Sequence, residues 1–347
     1  MRGVKDVSPQ RARADRDTVR SRQLSREAAA LDPDYSLGLR AVWLHYAGGL
    51  TQAAVGQRLG ITSVKTHRLI ARALADGVLK VSIDGDIIEC LELERRLADR
   101  FGLSFCEIAP DLGEAGLPLR ALGIAGASYL RRETEGGRRR VIGLGHGRTL
   151  AAAVHELPRF DAGGVRFVSL LGGVTRNYIA NPYDVMHRLT QQTSAQAFVM
   201  PVPFFANSAE DREVLLNQRG VRDVFEMAEM ADLKIAGIGS VDRAAQLVSS
   251  GMIEPQEIEE IAQAGGKGEL LGHFFDANGQ LLETTLSDRT LSVSLPDADA
   301  GRVVAIAGGA DKVGAIGAIL RSGRLSGIIT DETTATALLD EPEVAGH

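Results

Sequence analysis

The stretch Thr51-Gln-Ala-Ala-Val55-Gly56-Gln-Arg-Leu59-Gly60-Ile61-Thr62-Ser63-Val64-Lys65-Thr66-His67-Arg68-Leu69 decides how the N-terminal part of the chain folds. Thr51 is a suitable N-cap for a helix running from Gln52 to Leu59. Gly60 breaks that helix, and Ile61 packs inward from the turn. Thr62 or Ser63 then caps a further helix through His67 and Arg72 to about Asp76. Two short helices meeting across such a turn need a small residue four positions before the turn glycine, because they approach closely there. Gly56 fills that position, where Ala is more usual, and weakens its helix by roughly 1 kcal/mol relative to Ala. Val55, Leu59, Ile61 and Leu69 supply the inner apolar face. Thr66 stands where an aliphatic residue would normally pack, so that wall is expected to be slightly wet.

Outward from this stretch, a preceding helix is expected over Ser36 to Ala47, with Leu39, Val42, Trp43 and Tyr46 forming one buried face. Gly48-Gly49 ends it. On the other side, Val78 to Ile83 alternates apolar and polar residues and Asp84-Gly85 signals a turn, the pattern of a short wing hairpin. Residues 34–84 therefore read as a helix-turn-helix module, winged-helix-like. Residues 1–33 read as a disordered basic tail.

Charge supports this division. Residues 1–82 hold 14 Lys and Arg against 7 Asp and Glu; the remainder holds 25 against 38, so a basic head precedes an acidic body. Basic heads of this kind meet polyanions, because phosphate neutralisation supplies most non-specific DNA affinity. The outward positions near the start of the second motif helix are Thr62, Ser63, Val64, His67 and Arg68, flanked by Lys65 and Arg72. In a major groove Arg68 would read guanine and Val64 would touch a thymine methyl. Lys65, Arg72 and Lys80 would hold phosphates. The implied partner is a double-stranded DNA operator.

The 347 residues suit two domains, and 44% hydrophobic with 24% charged residues exclude wholesale disorder. The Arg-rich start has no apolar core of a signal peptide, the most apolar long stretch is interrupted by Asp311 and Lys312, and there are only two cysteines. The expectation is a cytoplasmic protein with no membrane partner. An amphipathic stretch, Ile88 to Phe101, lies within a linker-helix segment, 85–104. It would connect the domains or dimerise them.

Residues 105–342 alternate short apolar runs with Gly-rich turns and helical patterns. Strands are expected at Arg140–Leu144, Val165–Leu171, Ala197–Met200, Leu233–Ile238, Val303–Ala307 and Gly327–Thr330, with helices at Thr149–Glu156, Asp184–Thr193 and Lys312–Ser322. That alternation indicates an α/β fold with a parallel sheet covered on both faces. Glu269 to Leu282 reads as a hairpin inserted at one edge. Ligands of such sheets sit beyond the carboxyl ends of the strands. Four junctions lie there. Gly143-Leu-Gly145-His146-Gly147-Arg148-Thr149 offers glycines, a helix start and a hydroxyl to an anion. Gly237-Ile-Gly239-Ser240 is again Gly-rich. Lys312 follows Gly308-Gly309-Ala310-Asp311 at a helix start, an unfavourable place for a cation unless an anionic or polyhydroxylated ligand shares the site. Asp331, at the fourth, is expected to cap a helix. No paired metal-ligand spacing, nucleophile elbow or cofactor loop is present, so no metal, cofactor or catalytic residue is assigned.

The helix-turn-helix head combines with a body carrying, in order, Gly145-His-Gly-Arg-Thr149, Leu171-Gly-Gly, Gly237-Ile-Gly, Gly268-Glu-Leu-Leu-Gly-His-Phe-Phe-Asp276, Ala307-Gly-Gly-Ala-Asp-Lys312 and Ile329-Thr-Asp-Glu332. This ordered set resembles the SorC family of bacterial transcriptional regulators over residues 36 to 340. The resemblance implies a non-enzymatic regulator of a carbohydrate or polyol catabolic operon. It also implies an effector domain related in fold to ribose-phosphate isomerase and glucosamine-phosphate deaminase, and a homodimer or homotetramer. Its effector site maps onto Gly145, His146, Gly147, Arg148 and Thr149, Asn181 (with Arg176 nearby), Gly239, Glu269 and Lys312. Glu269 would accept ligand hydroxyls and Lys312 would contact a phosphate or hydroxyl oxygen. His146 and Arg148 replace hydroxyl residues of the family's phosphate loop, which leaves a free polyol and a sugar phosphate both open. The competing reading is a sugar-phosphate isomerase- or deaminase-like enzyme with a DNA-binding module, using Glu269 or Asp242 as its base.

Overall fold

The computed structural model describes residues 33–75, 79, 88–136, 140–173, 184–295 and 301–342. The expected basic tail, the wing hairpin, Lys80, Arg176 and Asn181 lie outside them. The chain divides into two compact units, up to Ile83 and from Asp84 onward.

In the first unit, helix α1 (Pro33–Val42) passes into a π-helical turn over Trp43–Ala47. Helix α2 (Gln52–Leu59) starts where the Thr51 hydroxyl accepts the Ala54 N–H at 3.2 Å, and ends where Gly60 takes φ 69°. Helix α3 (Ser63–Ala75) starts where the Thr62 hydroxyl accepts the Lys65 N–H at 3.2 Å. Ala41, Val42, Val55, Ile70 and Ala73 form the small core.

Two expectations about this unit are corrected. Trp43 is 66% exposed and Leu39 and Tyr46 are also exposed, while Val42 is buried. The buried stripe is Gly38, Ala41 and Val42, where the missing side chain of Gly38 brings α1 close to Leu69 and Ala73 on α3. The π turn then resets the helical phase beyond Val42. Nor is the wall at Thr66 wet. Thr66 is fully buried and its hydroxyl donates to the Thr62 carbonyl at 3.1 Å. A Cβ on Gly56 would lie 2.9 Å from both that hydroxyl and the Ile61 carbonyl. The two departures from the usual motif are thus one compensated exchange: the methyl absent at position 56 makes room for the hydroxyl at position 66.

The second unit opens with α4 (Ile88–Phe101), the expected linker helix. It packs on this unit: Leu97 is fully buried, the Glu94 carboxylate accepts the Ile108 N–H at 2.9 Å, and the Arg100 guanidinium donates to the Leu339 and Glu341 carbonyls. There follow β1 (Phe105–Ala109), α5 (Leu119–Glu135), β2 (Val141–Leu144), α6 (Arg148–Glu156), β3 (Arg166–Ser169), α7 (Met186–Thr193), β4 (Gln196–Phe198), α8 (Ala209–Leu216), α9 (Arg219–Glu229), β5 (Leu233–Ala236), β6 (Gly239–Ser240), α10 (Gln246–Ser249), α11 (Pro255–Gln263), β7 (Gly266–Leu270), β8 (His273–Asp276), β9 (Leu281–Leu282), β10 (Val303–Ile306), α12 (Val313–Arg321), β11 (Gly327–Asp331) and α13 (Glu332–Asp340).

Seven strands form an all-parallel sheet in the order β1-β11-β10-β5-β2-β3-β4. One face packs against Leu122 and Leu130 of α5, Leu150 and Val154 of α6, and Leu189 of α7. The other packs against Leu97, Val221, Ile316, Ile319 and Leu338, together with Leu270, Phe274 and Phe275 of a second sheet. This is the expected α/β architecture. The hairpin at Glu269–Leu282 is corrected: β7, β8 and β9 join β6 in a separate antiparallel sheet instead of extending an edge of the parallel one. Neither β1 nor α5 is among the sequence-based elements. Gly123 and Gly126 weaken the local helix signal of α5, yet they abut Ala152 and Ala153 respectively and let α5 lie tightly on α6. Among the described residues, no helix is long and apolar enough to cross a membrane.

Candidate functional site

Strands β10, β5 and β2 are neighbours, so the loops leaving their carboxyl ends converge. The pocket formed there is lined by His146, Gly147, Arg148 and Thr149 after β2, by Gly237 to Ser240 after β5, and by Lys312 after β10. The antiparallel sheet closes it with Glu269 and Leu271; Leu117, Leu171, Phe204 and the segment Ala245–Leu247 complete the wall. The structure thus brings together every described residue assigned to the site from sequence except Gly145. That glycine continues β2 instead, its N–H donating to the Ile235 carbonyl at 2.8 Å.

Most polar groups of the pocket are held by a specific neighbour. Gly147, at φ 132°, precedes α6, whose first amides have no acceptor within the helix. The Arg148 N–H donates to Oε1 of Gln246 at 3.3 Å, while Arg148 Nε is buried without a hydrogen-bond partner. The Thr149 hydroxyl donates to the Ile306 carbonyl at 2.7 Å and ties α6 to β10, so its proton is not offered to a ligand as the sequence suggests. His146 stands edge-on to Phe204, with ring centroids 5.4 Å apart, and burial pushes its pKa down to about 4. It is therefore a neutral wall of the pocket.

Glu269 and Lys312 hold the opposite side. Glu269 faces Gly239 across the β6–β7 ladder, and a side chain at Gly239 would collide with its carboxylate. Its Oε1 accepts the Gly272 N–H at 2.6 Å, in the tight turn where Leu271 and Gly272 both take positive φ. Burial raises the Glu269 pKa to about 7, moderated by that N–H and by Lys312. Lys312 Nζ donates to the Ile238 carbonyl at 2.6 Å. Burial and the nearby Arg148 cation lower its pKa to about 8, against the pull of Glu269 and Asp242. The pocket wall thus carries two cations, one carboxylate and a helix N-terminus. That set suits a hydroxylated molecule bearing a negative charge. Asp331 plays the expected capping part, accepting the Thr334 N–H at 3.0 Å.

Sequence reasoning missed Gln246, Phe204 and Leu271. Phe204 and Leu271 read as core residues, and no local pattern marks Gln246 among neighbouring polar positions. Among the described residues, no cluster of His, Cys, Asp and Glu suits a metal ion.

In the first unit, Ser63, Val64, His67 and Arg68 are exposed on α3, Val64 to 81%. Thr62, also exposed, is committed to the helix cap. Lys65 and Arg68 are not free-standing cations: Nζ of Lys65 lies 2.9 Å and the Arg68 guanidinium 3.5 Å from the carboxylate of Asp34 on α1. The Lys65 hydrogen bond holds the Asp34 pKa below the usual range. His67 Nδ1 lies 3.2 Å from Oε1 of Gln52. Arg72 sits one turn further along α3.

Comparison with known proteins places the chain among regulators. The profile of the sugar-binding domain family (Sugar-bind) matches residues 85–340. The chain is 64% identical over 311 residues to the erythritol catabolism regulatory protein EryD of Brucella abortus (strain 2308), covering 90% of this chain and 98% of that protein. It is 35% identical over 305 residues to the transcriptional regulator LsrR of Klebsiella pneumoniae subsp. pneumoniae, covering 86% and 91%. In fold it is similar to the crystal structure of the full-length sorbitol operon regulator SorC from Klebsiella pneumoniae, with a TM-score of 0.63 at 24% identity, covering 89% of this chain and all of that one.

Proposed function

The chain belongs to the SorC family of sugar-binding transcriptional regulators, and from that premise we propose that α3 binds an operator in duplex DNA while a small polyhydroxylated anion in the body pocket alters that affinity. The head at residues 34–84 reads DNA, and residues 105–342 hold the effector. The 85–104 segment contributes a helix to the body. Ser63, Val64, His67 and Arg68 meet the bases, and Lys65 and Arg72 the phosphates. In the pocket, Glu269 accepts ligand hydroxyls, and Arg148, Lys312 and the amides of Gly147 to Thr149 hold the charged end. Asn181, outside the described residues, is proposed as a further polar group for the ligand on the family resemblance alone.

The gathering of Arg148, Lys312 and the buried Glu269 carboxylate around one pocket carries the proposal. It favours a phosphorylated polyol over a neutral one, because a neutral ligand leaves surplus positive charge in a partly desolvated site. Erythritol catabolism, in the name of the 64% identical relative, points to the four-carbon tetritols. The chain is proposed to act as a cytoplasmic homo-oligomer that does not turn its ligand over; the relatives named as regulators support the non-enzymatic part of this reading. A melting screen of the full chain against sugars, polyols and their phosphates tests the effector class. At 100 times its Kd a ligand stabilises the native state by about 2.7 kcal/mol. A phosphorylated tetritol is expected to give the largest shift. Conversion of that ligand to product, abolished in Glu269→Gln, would instead establish an enzyme.

A further inference from the structure

The hydrogen bond between Arg148 N–H and Gln246 Oε1 puts a neutral side-chain oxygen at the start of α6, where an anion would lie. Gln246 lines the pocket, and a Cβ on Gly147 would come within 3.6 Å of the same oxygen. Gln246 opens the short helix α10 between buried Ala245 and Leu247, so its backbone is anchored while its side chain reaches across to α6. The site it enters is built for a ligand on independent grounds. Arg148 Nε is buried without a partner, and the carboxylate of buried Glu269 faces the same space as the Lys312 ammonium.

We infer that Gln246 is a specificity-determining residue: its amide oxygen occupies one anion-oxygen position at the α6 N-terminus, and an anionic group must displace it to bind. The inference rests on the proposed effector site and adds a selectivity rule to it. An amide oxygen is a weaker acceptor than a phosphate oxygen, so a dianion wins the contest at the helix start while a neutral hydroxyl does not. Gln246 therefore sets a threshold for anionic ligands and excludes weakly accepting ones from that end of the pocket. On displacement, rotation about its own side-chain bonds suffices; Ala245 and Leu247 remain packed.

The test measures binding of inorganic phosphate, a phosphorylated tetritol and erythritol to the full chain by calorimetry at fixed pH, in wild type, Gln246→Ala and Gln246→Glu. Removing the internal competitor is expected to tighten both phosphate-bearing probes by about 3–10-fold. Erythritol affinity should shift by less than twofold. Gln246→Glu, which fixes a carboxylate at the helix start, should weaken the phosphate-bearing probes by more than about tenfold. A helix-stabilising role alone would alter all three probes together. If Gln246→Ala leaves the phosphate-bearing probes unchanged or weakens them, or if phosphate binds no variant, the inference fails. Phosphate binding that Gln246→Ala tightens, without binding of any polyol phosphate, would instead preserve the role of Gln246 and overturn the proposed effector class.

Discussion

The two units use the same charged groups in opposite settings. On the head, Lys65 and Arg68 meet Asp34 at a solvent-facing surface, with Arg68 69% exposed. In the body, Lys312, Arg148 and Glu269 line one pocket, where burial moves Glu269 up to about 7 and Lys312 down to about 8. Water screens the first arrangement, so its partners exchange easily for phosphates of a long polyanion. The second is partly shielded from salt, which suits the small ligand of matching charge proposed for it. Exposure therefore separates the surface proposed to read a polymer from the pocket proposed to read a molecule.

The largest expected contrast is Lys312→Ala. Truncating one member of a buried charge pair costs about 2–5 kcal/mol in binding, so a phosphorylated tetritol should weaken by roughly 30–5000-fold. Operator affinity in the absence of effector should change less than about twofold by fluorescence anisotropy. Loss of both would make Lys312 a structural residue and erase the distinction between the units.

Glu269→Gln separates the units by pH. Because burial raises the Glu269 pKa from 4.5 to about 7, its contribution to stability is complete below pH 4.5 and is lost as pH climbs through 7. The amide does not titrate. Measured by calorimetric melting, the variant should gain about 2–6 °C on wild type between pH 5 and pH 8. A constant offset across that range would mean that the carboxylate is solvated.

For the head, salt is the discriminating variable. Operator affinity should fall by about 10³-fold or more between 50 and 200 mM salt if six or more phosphates are contacted. Effector affinity should fall by far less. Arg68→Ala should weaken operator binding by about 1–3 kcal/mol and relax one base preference. An unchanged operator Kd would remove α3 from the groove. Gly56→Ala should destabilise the head by about 1–3 kcal/mol, because the added methyl meets two oxygens at 2.9 Å. Adding Thr66→Val should not rescue it fully, since the Ile61 carbonyl remains in place. The smallest effect belongs to Asp34→Asn, because water screens its exposed pairs with Lys65 and Arg68; the melting temperature of the head should barely move.

Much of this arrangement was legible in the sequence, for identifiable reasons. Caps and turn glycines such as Thr51, Gly60 and Asp331 act over a few residues, and they stand where the local pattern places them. The junctions ending in Arg148, Gly239 and Lys312 follow apolar strands that no other element imitates, so their meeting at one end of the sheet follows from the parallel topology. What was hidden depends on distant partners. Thr66 is dry only because Gly56 leaves it room, and α5 exists as a helix because Gly123 and Gly126 rest on α6. Gln246 matters through an oxygen 98 residues away from the amide it accepts, and Asp34 through cations on another helix. No periodicity signals either contact.

The central claim is that the pocket and the head are coupled. It is tested by titrating the full chain onto a labelled genomic fragment that it retains, with and without a saturating phosphorylated tetritol. Coupling of about 1–3 kcal/mol predicts a 5–150-fold change in operator Kd in wild type and none in Lys312→Ala. An operator Kd that stays fixed while calorimetry shows the ligand bound would contradict it.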